Sequence, residues 1–229
     1  MIPDKAKSLL ITLLPFVIAV LIMIPRLVSA EFGLLDDGFI LNEVRKILGG
    51  DPSMRLFMEA GRFRPFYWLY FTLIYVLVGP NPFWFFIGHL ILLLALLVEI
   101  RSLMKYLGAQ DWQILLTSLL FIFSIPIIEN YYTLSKGEVL QLVFILAGLI
   151  CLQKLKETSC TRKTWKYAIL AFISILSAIW TKGTTYIMVP LAALWAAGPG
   201  SVWLWRRRAS CWASPTGRGG ASSWPPPAC

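Results

Sequence analysis

Histidine occurs once in this chain, at His89, and cysteine four times, at Cys151, Cys160, Cys211 and Cys229. One imidazole cannot build a histidine metal centre. The four thiols show neither metal-ligand spacing nor the density of a secreted disulfide framework, so they are assigned no chemistry. There is no glycine-rich phosphate loop, no His-Glu zinc motif and no nucleophile elbow. Charge is also scarce: Asp, Glu, Lys and Arg make up 14% of the residues, against roughly 25% in an ordinary soluble domain. Any chemistry must rest on a few carboxylates, lysines and arginines.

What the chain has instead is apolar surface, 58% of its 229 residues, more than one soluble core of this length needs. The implied solvent is lipid. Twenty-one basic residues against 12 acidic ones leave a formal charge of +9. A nucleic-acid protein would gather that charge on one soluble face, whereas here it is scattered between apolar runs; the partner is a bilayer, with no nucleic acid.

The first apolar run, 8–28, carries no charge before Arg26 and is long enough to cross a hydrocarbon core of about 30 Å. Lys5 and Lys7 hold its start in the cytoplasm. Val28-Ser29-Ala30 resembles a signal-peptidase site, but the run exceeds the usual signal core of about 7 to 15 residues, so a retained anchor is expected. The polar segment 29–65 is then exported. Of the next two stretches, only 83–104 should span. Arg101 and Lys105 belong inside, and 66–78 is short and rich in Tyr, Trp and Phe, which places it along the outer interface. Further spans are expected at 112–128, 135–153, 167–180 and 184–197, with Pro15, Pro126 and Pro190 as kinks. Lys154, Lys156, Arg162, Lys163 and Lys166 share one inside loop. The expected fold is an all-α, multi-pass membrane protein of about six transmembrane helices, with an interfacial helix in the first exported loop. Its working face is exported, from a cell membrane or the endoplasmic reticulum.

Residues 198–229 change character: Trp203, Trp205, Trp212 and Trp224 lie among Arg, Ser, Gly, Ala and Pro, without Lys, Ile, Phe, Tyr, Asp or Glu. Two readings stand. One is a reading-frame shift or truncation after about Ala197; the other is a disordered basic tail whose Arg206, Arg207 and Arg208 meet anionic lipid.

This topology gathers the candidate functional residues on one side. Lys136-Gly137 and Lys182-Gly183 lie at helix starts on the exported surface, where free N–H groups and the helix dipole favour an anion, and Arg62 and Arg64 approach from the preceding loop. Four cations there suit a phosphate. Alternatively, the lysines snorkel at the interface and Ser135-Lys136-Gly137-Glu138 is a capping box. Asp36 and Asp37 follow the first span closely. Adjacent carboxylates point apart, so one can act as general base while the other positions it or binds a cation; the plain alternative is a solvated pair capping a helix over 38–48. Glu129 can bond a sugar hydroxyl or close a salt bridge to Lys136, and His89 reads as a satisfied interior histidine.

In order and sidedness these residues resemble the multispanning C-type glycosyltransferases, notably the protein O-mannosyltransferase-like group that uses polyprenyl-phosphate sugars. The resemblance rests on Asp36-Asp37, on Gly61-Arg62-Phe63-Arg64-Pro65-Phe66-Tyr67-Trp68, on Asn81-Pro82-Phe83-Trp84 and on Leu134-Ser135-Lys136-Gly137-Glu138. It covers residues 8–197, about half the spans of the family, without its exported C-terminal domain. It implies an inverting transfer of a sugar from a polyprenyl phosphate to an acceptor hydroxyl on the exported face. Asp36 or Asp37 would then be the catalytic base; Arg62, Arg64, Lys136 and Lys182 would hold the lipid phosphate; Glu129 and Glu138 would contact sugar or acceptor. It implies no definite cofactor and leaves a divalent metal open. Two other readings are a non-enzymatic membrane assembly protein or fragment, and a transporter, which would need midplane polar residues and internal repeats.

Overall fold

The computed structural model describes residues 4–33, 36–51, 58–59, 62–158, 161–182 and 190. Among them the chain is helical, apart from one antiparallel pair of two-residue strands. The elements are α1 (Asp4–Val28), α2 (Asp36–Leu48), β1 (Met58–Glu59), β2 (Arg62–Phe63), α3 (Pro65–Val78), α4 (Pro82–Tyr106), α5 (Asp111–Ile122), α6 (Ile125–Tyr132), α7 (Glu138–Glu157) and α8 (Thr161–Thr181).

Four helices are long and apolar enough to cross a membrane: α1 over Leu10–Val28, α4, α7, and α8 over Lys163–Thr181. A fifth crossing results if α5 and α6, bent by 55° at the break between them, are one span. The chain is therefore a multi-pass membrane protein. Its outward surface supports this: Leu10, Leu13, Val17 and Leu21 of α1 and Trp165, Ile169, Phe172 and Ile173 of α8 are exposed, an apolar area that water would not tolerate. The expected span 184–197 falls, residue 190 apart, outside the described residues, as does the tail 198–229.

Local chemistry sets several boundaries. Asn81 caps α4, its Oδ1 accepting the Phe83 N–H at 3.1 Å, and Pro82 fills the first position, where the missing N–H costs nothing. The same helix ends in a Schellman turn. Gly108, at φ 77°, donates to Lys105 O, and Ala109 donates to Met104 O, both at 3.0 Å. The expected helix 112–128 is instead broken near Phe123–Ser124. Pro126 lacks the N–H that would reach Ile122, and it pushes the preceding residue away from helical geometry.

Helix α1 packs on α4 and α5, α4 on α7, α7 on α8, and the short helix α3 bridges α2, α4 and α8. The core between them is aromatic, built around Trp68, Phe71, Phe85, Phe86 and Tyr131, with Met23 and Leu93 filling in. Phe66 stacks on Trp180 and meets Phe144 edge-on, while Phe63 also abuts Trp180. These contacts seat the start of α3 against the beginning of α7 and the end of α8, and the site lies at that junction.

A polar cavity at the junction of three helices

The turn Leu134–Gly137, between α6 and α7, is held from two sides. Leu134 donates its N–H to Asp37 Oδ1 at 3.0 Å, and the Tyr67 hydroxyl donates to Ser135 O at 2.9 Å. Gly137 ends the turn with φ −80°, a conformation open to any residue, so its backbone does not demand glycine. Space does: a Cβ there would lie 2.9 Å from Tyr67 Cδ2.

This turn, Arg64 and Tyr67 at the start of α3, Phe39 and Ile40 of α2, and Thr181 and Lys182 at the end of α8 enclose a cavity of about 380 Å³, within the range of small-ligand sites. Among the described residues, Arg64, Lys136 and Lys182 line it together with the carboxylate of Glu138. Residues far apart in the chain thus meet at one cavity. Each lysine also has an acidic neighbour. Lys136 Nζ lies 2.9 Å from Glu129 Oε1, and Lys182 Nζ bonds Glu138 Oε1. Glu138 Oε2 is buried without a hydrogen-bond partner among the described residues. The alternative reading of Ser135-Lys136-Gly137-Glu138 as a capping box does not hold: Gly137, not Ser135, occupies the cap position and has no side chain to cap with, while Glu138 bonds Lys182.

The two aspartates differ. Asp36 opens α2, and only its backbone is described. Asp37 is 3% exposed, with Oδ2 accepting the Gly33 N–H at 2.9 Å and Oδ1 accepting that of Leu134. Arg26 stands 4.0 Å from Oδ2, donates to Glu31 O at 2.9 Å and lies over the Phe86 ring. Asp37 is therefore no solvated cap. Arg62 lies in β2, its strand partner being Glu59; its side chain is outside the described residues.

Metal binding finds little support here. Among the described residues no group of three or more His, Cys, Asp or Glu is gathered. Asp37 offers oxygens already engaged by N–H donors, and Glu129 and Glu138 each face a lysine, so this donor set does not fit a divalent cation.

Several contributors had no sequence signal. Tyr67 reads as one more interfacial aromatic, and Arg26 as a flank of the first span. Glu99, inside α4 and apart from the cavity lining, has an Oε2 that is buried without a hydrogen-bond partner among the described residues. An acid within an apolar run is the signal that could have found it. His89 is buried, its Nδ1 3.2 Å from Phe85 O and 3.3 Å from the Tyr70 hydroxyl, as an interior histidine should be. Comparison with protein-family models, with curated proteins and with solved structures finds no match for this chain.

Proposed function

We propose that the chain transfers a sugar from a polyprenyl-phosphate donor to an acceptor hydroxyl on the non-cytoplasmic face, as the C-type glycosyltransferases it resembles do. The observation that carries this reading is the cavity, which brings Arg64, Lys136, Lys182 and Glu138 together at one end of apolar helices. A membrane-anchored phosphate needs that combination: cations for the headgroup beside an apolar surface for the tail. In the transfer, the acceptor oxygen bonds to the anomeric carbon while its proton passes to a carboxylate of the Asp36–Asp37 pair. The bond from that carbon to the phosphate oxygen breaks, its electron pair leaves with the polyprenyl phosphate, and the configuration inverts. Glu138 Oε2 is available to accept from a sugar or acceptor hydroxyl, with Glu129 paired to Lys136 of the cavity wall.

The accompanying topology has six spans, including 184–197, with the N-terminus cytoplasmic and the cavity outside. In it α3, 14 residues long, lies along the outer interface. Membranes carrying the chain are expected to incorporate sugar from a polyprenyl-phosphate donor. K182Q and R64Q should each lower incorporation at least tenfold, with expression unchanged. Undiminished transfer in both variants sinks the assignment.

A second reading is a non-enzymatic assembly protein whose ion pairs only staple helices. The observation favouring it is that Lys136 and Lys182 are already matched by Glu129 and Glu138. It expects the same two variants to lower the melting temperature and to leave no transfer activity to measure in the parent chain.

A further inference from the structure

We propose that Asp37 is a positioning residue, the clasp that sets the cation-bearing turn of the cavity, and that it is not the proton acceptor of the pair. The inference rests on reading the cavity as a phosphate site.

Three observations carry it. Both carboxylate oxygens are engaged by backbone donors, Gly33 N–H on Oδ2 and Leu134 N–H on Oδ1, and the group is 3% exposed. With both oxygens occupied by N–H donors and the group buried, the carboxylate has little open surface to present to an acceptor hydroxyl. Arg26 stands at 4.0 Å on the Oδ2 side and is itself tethered to Glu31 O, so that side of the carboxylate is also occupied.

The geometry also says what is being positioned. Leu134 is buried, and two residues beyond it Lys136 enters the cavity wall. The turn between them has its other tether at Ser135 O, through Tyr67. Asp37 and Tyr67 therefore hold successive residues of one short turn, one by its N–H and the other by its carbonyl. Removing either releases the segment that places Lys136 opposite Arg64 and Lys182. Asn at position 37 keeps one acceptor but turns an NH2 group toward the other backbone donor, so one tether becomes a repulsion. A milder disturbance comes from Gly33: a Cβ there would lie 3.2 Å from Asp37 Oδ2 and must displace the carboxylate slightly.

The test titrates the purified full chain, in lipid nanodiscs, with farnesyl phosphate as probe. K182Q reports on the cavity itself. D37N and G33A report on the clasp, and a cycle of D37N with K136Q reports on coupling. Binding by D37N is expected to weaken about tenfold, roughly 1.4 kcal/mol, and by G33A about threefold. In the K136Q background D37N should weaken it less than threefold, because the cation it positions is gone. Should D37N fail to yield a monodisperse protein, G33A and its own cycle with K136Q decide. If K182Q binds like the parent, the cavity reading fails. If K182Q weakens binding while D37N and G33A bind like the parent, the clasp alone fails. Unchanged binding in D37N with abolished sugar transfer would make Asp37 the base and likewise overturn the inference, whereas weakened binding leaves Asp36 as the residue to test for proton transfer.

Discussion

Replacing Gly137 by alanine adds one methyl group at the most crowded point of the cavity wall. The new Cβ would lie 2.9 Å from Cδ2 and 3.3 Å from Cε2 of Tyr67. These atoms are in the body of the ring, so no terminal rotation relieves the clash. The ring is also boxed in, edge-to-face with Trp68 and with Phe71 at 4.9 Å each, and its hydroxyl is committed to Ser135 O. Overpacking of this kind costs about 1–3 kcal/mol. Displacing the ring far enough to lose the hydroxyl bond adds about 0.5–1.5 kcal/mol. A net cost of about 2 kcal/mol corresponds to a fall of roughly 4–8 °C in melting temperature for a chain of this size. The assay is thermal unfolding in detergent, followed by tryptophan fluorescence. G38A is the control, since its Cβ would meet only Gly33 O at 3.9 Å; it should be neutral or slightly stabilising. Y67A should remove most of the penalty of G137A. A G137A melting point within one degree of the parent, or a loss undiminished in Y67A, would refute the steric account.

Gly88 makes a related prediction. Its Cβ would meet the Tyr70 hydroxyl at 2.6 Å and Ile74 Cδ1 at 2.9 Å; the Ile74 methyl can swing aside, whereas the Tyr70 ring is packed on Phe71 and its hydroxyl lies 3.3 Å from His89 Nδ1. G88A should therefore cost about 1–3 kcal/mol in the same unfolding assay. Sidedness is open to labelling on a background without native cysteines. A cysteine at exposed position 38 should react with an impermeant thiol reagent from outside, and one at exposed position 157 only after permeabilisation. The opposite pattern would invert the topology and place the cavity in the cytoplasm.

The long helices were legible because lipid imposes a simple rule, an uninterrupted apolar run, and α1, α4, α7 and α8 obey it. The start of α4 was equally plain, since Asn-Pro states both cap and first position locally. The start of α7 was not. Ser135-x-x-Glu138 has the local grammar of a capping box, but three distant partners intervene: Asp37, 97 residues from Leu134; Tyr67, 68 from Ser135; and Lys182, 44 from Glu138. Tertiary bonds outbid the local motif, and no window of sequence contains them. That Arg64, Lys136 and Lys182 line one cavity depends on how α3, α7 and α8 pack, which the sequence does not state. Which aspartate would be buried was not legible either, since the choice depends on where the Leu134 N–H arrives. Pro126 announced a bend, but whether it leaves a kink or a complete break depends on the packing around α6.

The tether between Asp37 and Leu134 also has a consequence in time. A ribosome adding 5–20 residues per second needs roughly 5 to 20 seconds to make the intervening 97 residues. For most of that interval α1 and α2 are already made, while Asp37 has Gly33 and Arg26 for company. The early helices must wait at the membrane with an unfinished carboxylate; the turn after α6 completes it, and the cavity closes only once α8 has followed.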